Sequence, residues 1–298
     1  MTERVAIIGG GKIGEALLAG LIGAGKPVRD LVVAERSPDR AAELGEDYGV
    51  RVTDDISDAA EGARVVFIAV KPDAVDGVLQ TLSVTDDEGE LERITVTLVA
   101  GIPTTRYEAA LQAGSPVIRV MPNTPMLVNE AMSAVSPGRY AEEEQVALTV
   151  RLLESVGKVM VVPEKLMDAV TAISGSGPAY FFLMVESLID AGVALGLTRP
   201  QASELAVQTI KGAGMLLSES GLSPVELRAA VTSPAGTTAA ALREFERAGL
   251  RHSVNEATAV LCAASQAEAD AQVNTLGYFK PQPVSWEIAS ATLTRVSN

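Results

Sequence analysis

Two hydroxyls, Thr237 and Thr238, close the stretch Val231-Thr232-Ser233-Pro234-Ala235-Gly236-Thr237-Thr238, which runs on into Ala239-Ala240-Ala241-Leu242. Pro234 and Gly236 break the backbone between two helical patterns, so the threonines fall at a helix start. The first N–H groups of a helix have no intrahelical partner and carry partial positive charge, so such a start can hold a carboxylate without a metal. A threonine hydroxyl beside them can hydrogen-bond a reacting nitrogen. The same residues also read as an ordinary capped helix after a turn, and spacing alone favours that plainer reading.

A second group stands near the N-terminus. The apolar run Val5-Ala6-Ile7-Ile8 leads into Gly9-Gly10-Gly11-Lys12-Ile13-Gly14, and a helical stretch from Glu15 to Ala24 follows and stops at Gly25. A strand, a glycine turn and a helix in this order give G-x-G-x-x-G the context of a dinucleotide site. Gly9 permits the tight turn, Gly11 lets the backbone approach a pyrophosphate, and Gly14 lets helix and strand pack closely. Gly9, Gly11, Lys12, Ile13 and Gly14 are therefore the candidate phosphate-facing residues. The next strand, Leu31-Val32-Val33-Ala34, ends at Glu35-Arg36-Ser37. An acid about 20 positions past the glycines accepts the ribose diol of NAD, and Glu35 has that spacing. Arg36, with Ser37 beside it and Arg40 a helical turn on, suits a 2′-phosphate instead. The reading favours NADPH, with NADH as the alternative; both side chains also read as solvent-facing at a strand end.

These residues need a scaffold, and the chain supplies one. Val65 to Val70 is a buried-strand pattern ending at Lys71-Pro72; Ile94 to Val99 leads into Ala100-Gly101-Ile102-Pro103; Val117 to Val120 leads into Met121-Pro122-Asn123-Thr124-Pro125. Parallel sheets hold ligands at the C-terminal ends of their strands, which makes Ala69, Val70, Lys71, Pro72, Ala100 and Asn123 cofactor candidates. Each equally reads as a bare strand-to-helix connection. Past Val159-Met160-Val161-Val162-Pro163 the strand pattern stops. Ser174-Gly175-Ser176-Gly177-Pro178, with Ser176 or Gly177 as the cap, opens a long apolar helix from Ala179 to Leu195, closed by Gly196. Thr198-Arg199-Pro200-Gln201 and Ser223-Pro224-Val225-Glu226 are capping boxes for further helices, and Gly221 ends the one between them. Tyr180 to Val185 is apolar all round, which in so small a domain points to burial against another subunit. The expected fold is α/β: a Rossmann-like dinucleotide-binding domain over residues 1–162, then an all-α substrate and dimerisation domain over 163–273, with an extension over 274–298.

Composition narrows the chemistry. The 298 residues are 47% hydrophobic but only 4% aromatic, so Ala, Val and Leu must build the core. A formal charge of −14 with no basic stripe argues against nucleic acid as a partner. Cys262 and His252 are each the sole residue of their type, leaving neither a disulfide nor a His/Cys metal cluster, so no metal is expected. No apolar run approaches the length of a membrane span, and Met1-Thr2-Glu3-Arg4 leads straight into a strand pattern. The expectation is a cytoplasmic protein with no membrane partner.

The order of these motifs resembles the pyrroline-5-carboxylate reductase family. The family signature reads close to V-x-S-P-G-G-T-T, matched here except that Ala235 replaces the first paired glycine. The family's A-V-K-P, A-G and M-x-N-T-P loops have counterparts at Ala69–Pro72, Ala100-Gly101 and Met121–Pro125. Glu164, Asp168 to Thr171 and Ser174 to Tyr180 extend the resemblance across the domain junction, and it covers about Glu3 to Gly249. It implies reduction of the cyclic imine 1-pyrroline-5-carboxylate to proline by hydride from NADPH. It also implies that the substrate carboxylate sits on the N–H groups around Gly236, Thr237 and Thr238, with Ser233 adding a hydroxyl. Thr238 would donate to the imine nitrogen, as a polarising donor that relays solvent protons. Glu164 matches a position near the substrate, where it would accept from the ring nitrogen or hold a water; it reads equally as a surface carboxylate. Interlocked helical domains forming a homodimer, and rings of dimers, are implied as well. The alanine-rich stretch Ala257 to Val273 and the tail beyond it, with Trp286, depart from the family pattern. Two alternatives stay open. One is another imine reductase or a hydroxyacid dehydrogenase of the same layout, although Tyr180 to Met184 lacks the lysine the latter carries there. The other is a nicotinamide-binding regulator without catalysis, which would not need Ser233 to Thr238.

Overall fold

The computed structural model describes residues 3–84 and 93–274. Its frame is one sheet of eight strands: β1 (Val5–Ile8), β2 (Leu31–Ala34), β3 (Arg51–Thr53), β4 (Val65–Ile68), β5 (Ile94–Thr97), β6 (Val117–Met121), β7 (Ala131–Pro137) and β8 (Gly157–Val161). They lie in the order β3-β2-β1-β4-β5-β6-β7-β8, and the first six are parallel. That is the doubly wound order, whose direction reverses between β1 and β4 and opens a crevice above their C-terminal ends.

The short apolar runs become strands because helices cover both faces. β1, β2, β4 and β5 are buried at every position, as a parallel sheet between two helical layers requires. Alternate residues divide between the layers. Val5, Ile7, Val65 and Phe67 face a cluster with Leu17, Leu18 and Leu21 of α1 (Lys12–Gly23) and Leu44 of α2 (Pro38–Tyr48). Ala6, Ile8, Val66 and Ile68 face α3 (Ile56–Ala60), α4 (Val75–Val84) and α5 (Thr104–Ala110), through Ala59, Leu79, Leu82 and Tyr107.

Two strands carry no clear sequence signal. β3 is short and half-exposed at the sheet edge. β7 runs antiparallel to β6, and its small and polar residues Ser133, Ala134 and Ser136 hide its strand character. The chain reaches it through a left-handed turn at Asn129, with φ 58°. β8 returns parallel to β7 after α6 (Glu143–Leu153).

Beyond Pro163 the described chain is helical: α7 (Met167–Val170), a π-helical turn over Thr171–Gly175, α8 (Gly177–Ala194), α9 (Arg199–Glu219), α10 (Pro224–Ala230), α11 (Thr237–Arg247) and α12 (Leu250–Asn274). Both capping boxes form as read, at Thr198–Gln201 and Ser223–Glu226. Ser176 is the N-cap of α8, but its side chain makes no capping bond, because the π-helical turn already delivers a helical backbone there. α8 packs on α9, and α12 returns to α7, where Ser265 Oγ donates to Asp168 Oδ1 at 2.6 Å. The alanine-rich stretch Ala257 to Val273 is part of α12, whereas Trp286 and the rest of the expected extension past Asn274 lie outside the described residues.

The expectation that no apolar run approaches the length of a membrane span is corrected. The near-continuous helix Glu164–Ala194 has 31 residues and is long and apolar enough by length and composition. The polar Ser174 to Pro178 interrupts the pattern in sequence but not the helical backbone. Its apolar side chains are uncovered within one chain: Phe181, Phe182 and Leu183 are 62%, 67% and 64% exposed. A surface of that kind marks an interaction face.

Candidate active site

The glycine loop sits at the crevice between β1 and β4. Gly9 has φ +109°, and a Cβ there would lie 2.7 Å from the Ala69 carbonyl oxygen, so only glycine lets the loop press on the chain leaving β4. Gly14 is held as closely: its Cβ would fall 2.0 Å from the Gly9 oxygen. Gly11 is the opposite case, with open space where a Cβ would stand. Gly11 caps α1 without a side-chain bond, so the N–H groups of Lys12, Ile13 and Gly14 open the helix with no intrahelical acceptor. A cleft of about 770 Å³ lies here, lined by Gly9, Gly11, Glu35, Arg36, Val70 and Lys71 among others. The donor set fits a dinucleotide: a bare glycine backbone, an open helix N-terminus and two cations on one wall.

Six of the thirteen expected cofactor residues line this cleft: Gly9, Gly11, Arg36, Ala69, Val70 and Lys71. Ala69 and Val70 line it beside Lys71, which precedes a short 3-10 turn beginning at Pro72. Lys12 is exposed, whereas the Ile13 side chain packs on the core and leaves its backbone to serve. Ser37 caps α2; its N–H donates to Glu35 Oε1 at 2.9 Å. Ala100 is exposed beyond β5 and is not part of the cleft wall. The Asn123 side chain is committed elsewhere. Its Nδ2 donates to Ser174 O at 3.1 Å and its Oδ1 accepts from Met132 N at 2.9 Å, tying β7 and the π-helical turn to the β6 loop.

The 2′-phosphate wall is simpler than its sequence. Arg36 is exposed on the cleft and makes no hydrogen bond or ion pair among the described residues. Arg40 does not join it: Nε donates to Gly10 O at 2.9 Å, Nη1 to Glu43 at 2.6 Å, and Nη2 pairs with Glu15. Those carboxylates hold the Arg40 guanidinium above its ordinary pKa, against a smaller opposing effect of burial. Glu35, the candidate ribose acceptor, likewise turns its oxygens onto backbone, Oε2 accepting from Gly10 N at 2.9 Å.

The substrate candidates lie apart from the cleft. In Ser233–Thr238, Gly236 N donates to Ser233 O at 3.0 Å and closes the turn, and Ala235 takes a left-handed φ of 57° where the family signature has glycine. The N-cap of α11 is Gly236 with no side-chain bond. The plain capped-helix reading of the threonine hydroxyls is therefore not what forms: Thr237 and Thr238 occupy the first two helical positions, exposed, with their N–H groups open. α11 packs chiefly on α12, and among the described residues the hydrogen bonds of this turn, those inside α11 apart, stay within residues 228–240.

Glu164 is neither a free surface carboxylate nor an open substrate acceptor. Oε1 accepts from Thr104 N at 2.7 Å and Oε2 from Thr104 Oγ1 at 2.6 Å, with the buried Arg119 guanidinium at 3.5 Å. On the same helix as Thr104 stands Tyr107, fully buried, whose hydroxyl accepts from Thr97 Oγ1 at 2.6 Å. Burial pushes the Tyr107 phenol up to about 12. Thr104, Tyr107 and Arg119 were missed in the sequence because nothing local marks them.

Comparison with known proteins agrees with this geometry. Residues 164–268 match the family model for pyrroline-5-carboxylate reductase dimerisation, past the Gly249 limit of the motif resemblance, and residues 4–100 match that for NADP oxidoreductase, coenzyme F420-dependent. The chain is 48% identical to a pyrroline-5-carboxylate reductase of Mycobacterium tuberculosis, covering 89% of this chain and 96% of that one. It is 38% identical to that of Methanosarcina acetivorans, covering 84% and 92%. In three dimensions it is similar to a pyrroline-5-carboxylate reductase from Coxiella burnetii, with TM-score 0.85, 33% identity and 90% and 99% coverage. It is also similar to the Plasmodium falciparum pyrroline carboxylate reductase solved with NADP bound, with TM-score 0.79, 28% identity and 90% and 98% coverage.

Proposed function

Because the chain belongs to the pyrroline-5-carboxylate reductase family and reduces 1-pyrroline-5-carboxylate to proline with NADPH, we propose that each reactive site joins the cofactor cleft of one copy to the Ser233–Thr238 turn of another. The observation that carries this reading is the exposure of that turn, which opens α11 with open N–H groups and, among the described residues, makes no hydrogen bond to its own chain's cleft. The chain forms homo-oligomers through its helical half, and the uncovered Phe181, Phe182 and Leu183 are the surface a second copy would bury. A ring of such dimers is the larger assembly we propose. The same burial explains the apolar length of Glu164–Ala194 without a membrane, and a cytoplasmic location follows from a biosynthetic role.

A nicotinamide held in this cleft would supply the hydride for the imine carbon. The chain's own residues bind, orient and polarise. Gly9, Gly11 and the N–H groups opening α1 take the pyrophosphate, and Arg36 takes the 2′-phosphate. The substrate carboxylate rests on the N–H groups of Thr237 and Thr238, with Ser233 beside it. The Thr238 hydroxyl donates to the imine nitrogen, polarising the C=N bond and stabilising the lone pair that hydride addition builds up there, which a proton then takes up. Threonine is too weak an acid to release that proton at neutral pH, so the proton is relayed from solvent. Glu164, held by Thr104, sets the junction between residues 1–162 and 163–273, which we take as the two domains. Its role is to position the helical half, not to bind substrate.

Hybrid dimers test the shared site. Gly14→Ala, which spoils the cofactor loop, is mixed with Thr238→Val under conditions that exchange subunits. A site built from two copies restores activity that neither variant has alone. A mixture as inactive as its parents refutes the shared arrangement.

A further inference from the structure

Gly10 is gripped through both of its backbone polar groups by side chains from distant parts of the chain. Its N–H donates to Glu35 Oε2 at 2.9 Å, and its carbonyl oxygen accepts from Arg40 Nε at 2.9 Å. Neither partner is loosely placed. Glu35 Oε1 also accepts from Ser37 N at 2.9 Å, so the carboxylate spans the end of β2 and the glycine loop. The Arg40 guanidinium continues to Glu15 on α1, and Glu15 accepts from Tyr48 OH at 3.1 Å. Gly10 itself is buried, and a Cβ there would meet Leu44 Cδ1 at 2.5 Å and Glu35 Oε2 at 3.1 Å. The loop is thus closed in from α2 by an apolar contact and a charged one.

We propose that Glu35 and Arg40 are positioning residues for the cofactor: they clamp the two peptides that flank Gly10, set the glycine loop for either nicotinamide nucleotide, and leave selection at the ribose 2′ position to Arg36. Fixing both polar groups of Gly10 orients the peptides on either side of it. Those peptides carry the backbone toward Gly11 and the open N–H groups of α1. A binding surface made of backbone N–H groups depends on such orientation, because it has no side-chain rotamers with which to adjust. A carboxylate at the position of Glu35 in an NAD-specific site faces the ribose diol. Here both its oxygens already serve backbone donors, so its charge is spent on the loop. Arg40, which sequence spacing offers as a second phosphate ligand, has every nitrogen engaged by the clamp.

The specificity arm rests on Arg36 as the 2′-phosphate partner, and the test separates the two ideas. KM and kcat are measured in the full-length enzyme with NADPH and with NADH, for wild type, Glu35→Gln, Arg40→Lys and Arg36→Ala. Glu35→Gln replaces one acceptor oxygen by a donor, and Arg40→Lys keeps the charge but loses the fork. Each is expected to raise both cofactor KM values by a common factor of about ten, the size of one charge-assisted hydrogen bond, with kcat at saturation and the NADPH/NADH ratio unchanged. A merely destabilised protein would lose active enzyme without moving KM. Loss confined to NADH in Glu35→Gln would make Glu35 the ribose acceptor and overturn the clamp. So would loss confined to NADPH in Arg40→Lys, or no change in either variant. Should Arg40→Lys not fold, Tyr48→Phe removes only the buttress on Glu15; a smaller parallel rise in both KM values supports the clamp and an unchanged pair refutes it. Arg36→Ala shifting the ratio, or failing to, decides the specificity arm alone.

Discussion

Replacing Thr238 by valine removes a hydroxyl at nearly constant shape, and the structure predicts a large kinetic effect with a small effect on stability. Thr238 stands at the second position of α11, exposed, behind an N-cap, Gly236, that makes no side-chain bond. Its hydroxyl caps nothing. Threonine and valine have similar helix propensities, so the folded state should change by no more than about 0.5 kcal/mol. A donor aimed at a nitrogen that gains electron density as the hydride arrives is worth about 2.7–4 kcal/mol in the transition state, a hundredfold to thousandfold in kcat. The cofactor phosphates lie at the glycine loop of the sheet, so the KM for NADPH should hold. The assay is NADPH oxidation with saturating 1-pyrroline-5-carboxylate, read beside a thermal melt of the same preparation. Full kcat in Thr238→Val would refute the polarising role. A melt lowered by about 1 kcal/mol with normal turnover would instead show a capping hydroxyl, contrary to the geometry.

Four further expectations follow from individual residues. Arg36→Ala should raise the KM for NADPH well above that for NADH, by about 1.5–3 kcal/mol of lost charge-assisted contact; an unchanged ratio would remove Arg36 as discriminator. Light scattering at micromolar concentration should give a dimer or larger, since Phe181, Phe182 and Leu183 are uncovered in one chain; an active monomer would contradict that. Ala235 carries a Cβ at φ 57°, so Ala235→Gly should stabilise by about 1 kcal/mol, and a lowered melting temperature would show that the strain is compensated. The Tyr107 phenol is pushed up to about 12 in the fold, against about 10 in the unfolded chain. Its neutral form is therefore favoured by folding, and that contribution is whole below pH 10 and is lost as pH rises toward 12. Wild type should lose up to about 2.7 kcal/mol more than Tyr107→Phe over that window in urea titrations; parallel pH profiles would count against it.

Whatever a few neighbouring residues can satisfy among themselves was legible in the sequence. The strand of Val5–Ile8, the glycine turn and α1 follow from hydrophobic run, backbone freedom and helix start within about twenty residues. The two capping boxes close over four residues each, and the turn before Thr237 is set by its own proline and glycine. The reductase chemistry was legible only through the resemblance of these motifs to a known family, since the residue types by themselves fitted a capped helix and a strand end as well. Polar side chains whose partners lie far along the chain were not legible. Glu35 and Arg40 reach Gly10 across 25 and 30 residues, Asn123 reaches Ser174 across 51, and Glu164 reaches Thr104 across 60. Spacing suggested a ribose acceptor at Glu35 and a phosphate ligand at Arg40, a strand-end position made Asn123 a cofactor candidate, and the family resemblance made Glu164 a substrate acceptor; in the fold each of the four side chains hydrogen-bonds a distant part of the frame. The reason is physical. A carboxylate, amide or guanidinium entering a partly buried site must find a partner there, and which donor or acceptor arrives is decided by the order of strands in the sheet. β7 belongs to the same class, for its small, polar residues become a strand only where β6 offers an edge to pair with.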